Sequence, residues 1–291
     1  MTNTALIENP ASKAIPDSFG LPVAGRLRKV LIVNGWRVLL ISIFLLLWQF
    51  VPKIPGVSDY VVWLDPFFIG EPWRIAHRIW DVCTGNNGAA LIWSPLLFTV
   101  RTALVGTGIG IALGGAAGLA LSSNPTAEQV LRPIVAALNA IPRIAIVPIV
   151  VIIAKLPASA NIITAVAVVI SLVFYNALEG GRSVPPEMVD SARLMGAKKL
   201  DIMVRIRLPY VAAWVFAAMP NAFAFGLVGS VTTEIFTGAP GVGQLLQIAV
   251  NTADATLTFT VVFMLTVVGV TLVQGTEWIR KMALPWWNAS S

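Results

Sequence analysis

The chain has 291 residues, 57% hydrophobic and 12% charged, with a mean hydropathy of +0.81. A soluble globular domain carries about 25% charged residues, so this composition excludes the ordinary soluble classes and points to an all-α, polytopic membrane protein. The net charge of +6 is not a nucleic-acid patch, because the basic residues sort by side of a membrane, and the single cysteine, Cys83, excludes an internal disulfide.

Residues 1–30 are polar, contain Pro10, Pro16 and Pro22, and close with Arg26, Arg28 and Lys29. They read as a cytoplasmic N-terminal tail, with a surface helix near 23–35 as an alternative. Residues 31–52 form the first expected transmembrane helix, and Arg37 lies near its inner end, where it can snorkel. Residues 53–95 are an extracytoplasmic loop. Within it, Pro72–Trp80 has amphipathic spacing, with Trp73, Ala76 and Trp80 on one face and Arg74 and Arg78 on another, as an interfacial helix would. His77 has no companion at ligand spacing, so no metal site is expected.

Residues 96–279 hold the remaining spans, each of about 20 apolar residues, the length that a ~30 Å bilayer core demands. The second runs over about Leu96–Leu121. Its Gly106, Gly110, Gly114 and Gly118 make one smooth stripe for close helix packing. The third, Pro133–Ala154, is unusual: Ile141-Pro142-Arg143-Ile144-Ala145-Ile146-Val147-Pro148 places two prolines and a charge inside it. Proline frees a backbone carbonyl and bends the helix, and an intramembrane charge must face protein or water. Arg143 therefore lines a solvated path, or it snorkels or pairs with an acidic neighbour. The fourth span, Asn161–Leu178, carries Asn176 near its inner end. The fifth, Leu208–Thr232, carries Pro220-Asn221 at mid-length; Asn221 touches solute or satisfies backbone freed by the proline. Glu234 follows, ahead of Gly238-Ala239-Pro240-Gly241-Val242-Gly243, and reads as a gate residue or an interface carboxylate. The sixth span is Ala255–Thr276, and 280–291 is a cytoplasmic tail with Arg280, Lys281, Trp286 and Trp287. With about six spans and both termini inside, the inner segments hold 14 of the 20 Lys and Arg residues, which fits the positive-inside rule.

Between the fourth and fifth spans lies a long, strongly charged segment. Pro185 and Pro186 suit a first helical turn, Glu187 and Asp190 favour the helix N-terminus, and Met188, Ala192 and Met195 recur on one side. Gly196 can take the left-handed conformation that ends a helix. A second short helix with Lys198, Lys199, Arg205 and Arg207 follows, and Pro209 opens the next apolar run.

This segment resembles the cytoplasmic signature loop of ABC importer permeases, whose pattern is Glu-Ala-Ala, three residues, Gly, nine residues, then Ile-x-Leu-Pro. Here Asp190-Ser191-Ala192, Gly196 and Ile206-Arg207-Leu208-Pro209 keep both gaps, with Asp for Glu and Ser for Ala. The resemblance implies that Asp190, Ser191, Ala192, Arg193, Leu194, Met195, Gly196 and Ala197 form a coupling helix that docks on separate ABC ATPase subunits. It also implies an extracytoplasmic solute-binding protein, a permease homodimer in the lipid bilayer, and the plasma (inner) membrane of a bacterium as location. The Pro142–Pro148 run is similar to one in the nitrate, sulfonate, taurine and bicarbonate branch. Arg143, Asn176, Asn221 and Glu234 are the candidates for the translocation path, and Arg143 together with the branch similarity favours a small anion as solute: nitrate, bicarbonate, a sulfonate or an aromatic carboxylate. A neutral vitamin precursor is the alternative within the family. No G-x-x-x-x-G-K-[ST] run occurs in the sequence, so the chain is expected to be no enzyme and to hold no cofactor, with ATP and Mg on the partner. An ion-coupled carrier would need a carboxylate in the span cores, where none is expected, and an intramembrane enzyme a catalytic constellation at depth.

Overall fold

The computed structural model describes residues 23–54, 65–88 and 90–283. Residues 1–22 and the Trp286-Trp287 anchor lie outside them, and so does the side chain of Arg143. The chain divides into two units, Met1–Leu64 and Asp65–Ser291.

In the first unit, α1 (Val23–Phe50) is a single helix of 28 residues that begins earlier than expected. Its stretch from Leu31 is predominantly apolar and long enough to cross a bilayer. It ends in a short 3₁₀ turn at Val51–Lys53, where Pro52 removes a donor.

The second unit opens with α2 (Pro66–Ile69) and α3 (Pro72–Thr84). Helix α3 docks through Ile75 and Val82, both buried, while Trp73 and Trp80 are exposed. Trp73, Ala76 and Trp80 are exposed together, and the face that packs on the bundle is that of Ile75 and Val82. Arg78 pairs with Asp254 at 3.1 Å, and Asp254 also caps α12 (Ala255–Ala283) by accepting the Leu257 N–H at 2.9 Å. The same end holds an apolar cluster of Val82, Ile92, Leu96, Val242, Val261 and Met264.

Three long helices form the centre: α4 (Trp93–Ser122), α7 (Pro157–Arg182) and α10 (Leu208–Thr237). The glycine stripe explains how close they come. A Cβ on Gly106 would stand 2.5 Å from Ala165 Cβ, on Gly110 2.9 Å from Val169 Cβ, and on Gly118 2.5 Å from Ala177 Cβ. All four glycines thus face α7, and the matching order of contacts makes α4 and α7 parallel. Gly226 faces Thr107 of α4, Gly229 faces Ala165, and Gly180 faces Val211 and Trp214, so α10 runs antiparallel to both.

Parallel α4 and α7 require a return crossing between them, and this crossing is broken. Helix α5 (Pro125–Ala140) ends before Ile141-Pro142, and α6 (Arg143–Ala154) starts anew. The expected continuous third span over Pro133–Ala154 is therefore two helices. Pro142 has no N–H to give, and Ile141 ahead of it is disfavoured in the α conformation. The break sits beside the middle of α7: Ile141 and Ile146 share a cavity with Ala167 and Ile170. At the start of α5, Asn124 accepts the Ala127 N–H at 3.2 Å and Pro125 takes the first helical position. Five helices among the described residues are long and apolar enough to span a membrane, with α6 a shorter apolar piece.

Candidate functional site

The charged segment between α7 and α10 folds as an elbow. Helix α8 (Pro186–Leu194) starts behind Pro185, and Val184, Val189 and Ala192 bury against Ile202. Of the three residues expected on one side of the helix, Ala192 is buried, and Met188 and Met195 are exposed. Gly196 adopts φ +83°, a region that side chains with a Cβ rarely enter. Its N–H donates to the Arg193 carbonyl at 2.9 Å, and the Ala197 N–H donates to the Ala192 carbonyl at 3.0 Å. That bond pair is the Schellman closure, and it satisfies carbonyls that the helix end would leave open. Ala197 packs back on the buried cluster, which fixes the exit angle.

Helix α9 (Lys199–Ile202) comes next, started by the Asp201 carboxylate, which accepts the Lys198 N–H at 3.1 Å. It does not stop before α10. A single π-turn, Met203–Arg207, carries it into α10, so Pro209 sits inside one long rod. A π-turn adds a residue without breaking the helix, and apolar periodicity does not reveal it.

The elbow presents Leu194 at 90% exposure and Met195 at 82%. Asp190 and Arg193 pair with each other at 3.3 Å on its surface, an exposed contact that contributes about 0–1 kcal/mol. Its base is tied down. Arg182, the last residue of α7, grips Glu128 in the first turn of α5 through two hydrogen bonds, one of 3.1 Å, and reaches Glu179 at 3.0 Å. Arg207 donates to the backbone carbonyl of Ser122, an open carbonyl at the end of α4. The elbow is therefore fastened to α4 by Arg207, and the end of α7 from which it springs is fastened to α5 by Arg182.

The opposite end of the bundle holds a buried polar clamp. Glu234 has no exposed surface. Its Oε2 accepts from the Thr99 hydroxyl at 2.9 Å and the Gly243 N–H at 2.8 Å, and its Oε1 accepts from Asn161 Nδ2 at 2.9 Å. Thr99 accepts the Val242 N–H at 2.9 Å, and Thr102 and Ser230 share a bond of 2.9 Å. The clamp seats the N-terminus of α11 (Val242–Asn251) on α4, α7 and α10. One expectation is corrected here: Glu234, in the last turn of α10, is fully buried and is not a solvated interface carboxylate.

The four path candidates do not come together. Asn176 lies in the half of α7 nearer the elbow and donates to its own helix at Leu172 O, 2.9 Å; Asn221 is exposed on α10. Glu234 is at the far end, and Arg143 opens α6. Among the described residues no group of three or more His, Cys, Asp and Glu side chains is placed to hold a metal.

Residues 106–287 match the model of the binding-protein-dependent transport system inner membrane component. The chain belongs to that family. Among curated relatives, this permease is 23% identical to a riboflavin transport system permease of Chloroflexus aurantiacus, over 76% of this chain and 81% of that one. It is 20% identical to the taurine transport system permease of Escherichia coli, over 77% and 82%, and 22% identical to a bicarbonate transport system permease of Synechocystis, over 83% and 86%. Its fold is similar to a subunit of the MetNI methionine ABC transporter in an inward-facing conformation, with a TM-score of 0.59 at 18% identity, covering 66% of this chain and 95% of that one. The protein is a multi-pass permease of an ABC transport system in the inner membrane.

Proposed function

We propose that two copies of this permease form the solute path of an importer, and that a separate ATPase drives them through the Asp190–Ala197 elbow. The observation that carries the reading is a rigid elbow with an apolar tip. Leu194 and Met195 are held out to solvent by a closed glycine bend, and the base is fastened to three helices. Exposed apolar side chains on a rigid mount suit a partner groove. The ATPase would hold ATP and Mg, and this chain supplies no nucleotide chemistry.

The elbow lies in the cytoplasm and an extracytoplasmic binding protein delivers solute to the other end. The Lys and Arg distribution supports that orientation. Closure of the ATPase on ATP moves the elbow, and the fastenings carry the motion to α4, α5 and α7. ATP biases the equilibrium only by its differential affinity for the closed state.

The solute is a small anion. Arg143 at the head of α6 supports this, as do relatives named for taurine, bicarbonate and nitrate. A neutral vitamin precursor is the second reading, supported by relatives named for riboflavin and formylaminopyrimidine. Uptake by cells carrying Arg143→Ala separates the two: lost anion uptake with the ATPase still docked supports the first, and unchanged uptake removes Arg143 from the path.

A further inference from the structure

Helix α10 keeps one face clear of the rest of its own chain. Trp214, Ala217, Asn221, Ala224 and Val228 are all exposed, and they follow one another at steps of three, four, three and four residues. That is the heptad spacing of a helix–helix seam, and it sets the five on one line along the helix. The opposite face is taken, for Gly226 lies against α4 and Gly229 against α7. Ala217 and Ala224 stand on either side of Asn221 in this line. Small residues let a second helix backbone come close in a membrane, and polar side chains between helices hold them together by hydrogen bonds.

Asn221 decides what covers this face. It stands roughly 20 Å from the first residue of α10 and roughly 24 Å from the last, at 1.5 Å per residue. A hydrocarbon core of about 30 Å therefore has it near mid-membrane. Asn176 donates to the Leu172 carbonyl, and the exposed Thr266 and Thr271 of α12 donate to the Val262 and Val267 carbonyls at 2.8 and 2.7 Å. Asn221, by contrast, has no hydrogen-bond partner among the described residues. An open amide facing lipid tails is costly. A second copy removes that cost. Two permeases in one membrane share one orientation, so the axis relating them runs along the bilayer normal and equal depths meet. An amide carries both donors and an acceptor, so Asn221 complements its own image across such an axis. A single asparagine in an apolar seam also fixes the register and the number of helices that join.

We propose that this face of α10 is where two copies of the permease meet, with the two Asn221 amides hydrogen-bonded to each other across the two-fold axis at mid-membrane. The pairing closes the space between the copies at that depth, so a path along the axis opens only when the two α10 helices part. The proposal rests on the two-copy reading above and names the surface and the residue through which the copies join.

The test is disulfide trapping in native membranes that carry the permease with its coexpressed ATPase. In a Cys83→Ser background, Ala217→Cys, Asn221→Cys and Ala224→Cys are made singly, with Val262→Cys on the exposed side of α12 as the control. Oxidation should give covalent permease dimers from the three α10 positions and none from the control. Energy transfer between labelled permeases in liposomes then reads the amide pair. Asn221→Ala should weaken self-association about three- to tenfold, the usual worth of an interhelical hydrogen bond in lipid, and Asn221→Gln should recover part of the loss. Native mass spectrometry of the intact complex keeps the two readings apart. Two permeases per complex with no trapping at the three positions overturns the surface and leaves the two-copy path standing; one permease per complex sinks the two-copy reading itself. Trapping together with unchanged association of Asn221→Ala overturns the amide pair. Should Asn221→Cys fail to reach the membrane, Ala217→Cys and Ala224→Cys still decide the surface, since both keep the amide.

Discussion

Glu234 accepts hydrogen bonds from Thr99, Asn161 and Gly243, and so joins α4 and α7 to the start of α11. Its removal leaves the Gly243 N–H without an acceptor, while the Thr99 hydroxyl falls back on the Pro95 carbonyl at 3.1 Å and the Asn161 amide on Thr102 at 3.4 Å. An orphaned buried donor costs about 1–3 kcal/mol, while an interhelical bond in lipid averages about 0.6 kcal/mol because the membrane-unfolded state also finds partners. For Glu234→Ala we expect a loss of about 1–3 kcal/mol, read as a lower melting temperature of the purified protein. Glu234→Gln keeps one acceptor oxygen but turns an NH₂ toward donors, so it should recover only part of the loss. Wild-type melting of Glu234→Ala would show that the clamp bears no load. The glycines after Glu234 were visible in the sequence as a turn. Its partners were not, because Thr99 and Asn161 lie far away along the chain and read as ordinary polar residues in apolar spans.

The helix elements differ in how plainly the sequence shows them. A four-residue glycine spacing places one smooth face on α4 whatever that face meets, and it meets α7. A Cβ on Gly118 would stand 2.7 Å from the Phe174 carbonyl, so backbone must move, at about 1–3 kcal/mol for overpacking. Gly118→Ala should therefore lower the melting temperature. Gly108→Ala, where a Cβ meets nothing within 4 Å, should be neutral or raise it by the helix propensity of alanine, about 0.5–1 kcal/mol. Equal effects of the two would contradict the close α4–α7 contact. The elbow was legible because prolines, a glycine and fixed gaps mark its parts. Its buried stripe was not, since Val189 and Met188 both suit a helix face and only the tertiary contact with Ile202 decides. Leu194→Asp with Met195→Asp should leave melting unchanged, both side chains being exposed, and should abolish ATPase copurification. Retained copurification would move the docking surface elsewhere. Gly196→Val, strained at φ +83°, should reduce coupling while the protein still reaches the membrane, as quantitative blotting of membrane fractions would check.

At the scale of the whole molecule, parallel α4 and α7 force a return crossing, and its break at Pro142 falls beside the middle of α7. Composition and span lengths revealed a polytopic bundle. They did not reveal the break as a break, because two prolines and an arginine fit a kinked rod equally well. The elbow and the Glu234 clamp stand at opposite ends of the bundle, and α4, α7 and α10 run between them, so a push at one end reaches the other through these long helices. The Glu234 carboxylate, in the last turn of α10, is held by donors from α4, α7 and α11, and the energy source of transport is established by direct measurement. The deciding measurement is solute uptake by proteoliposomes containing the permease, its solute-binding protein and, in one arm only, the ATPase. Uptake should require the ATPase and ATP and should persist when a protonophore collapses the pH gradient; uptake by the permease without the ATPase, driven by that gradient, would contradict the account.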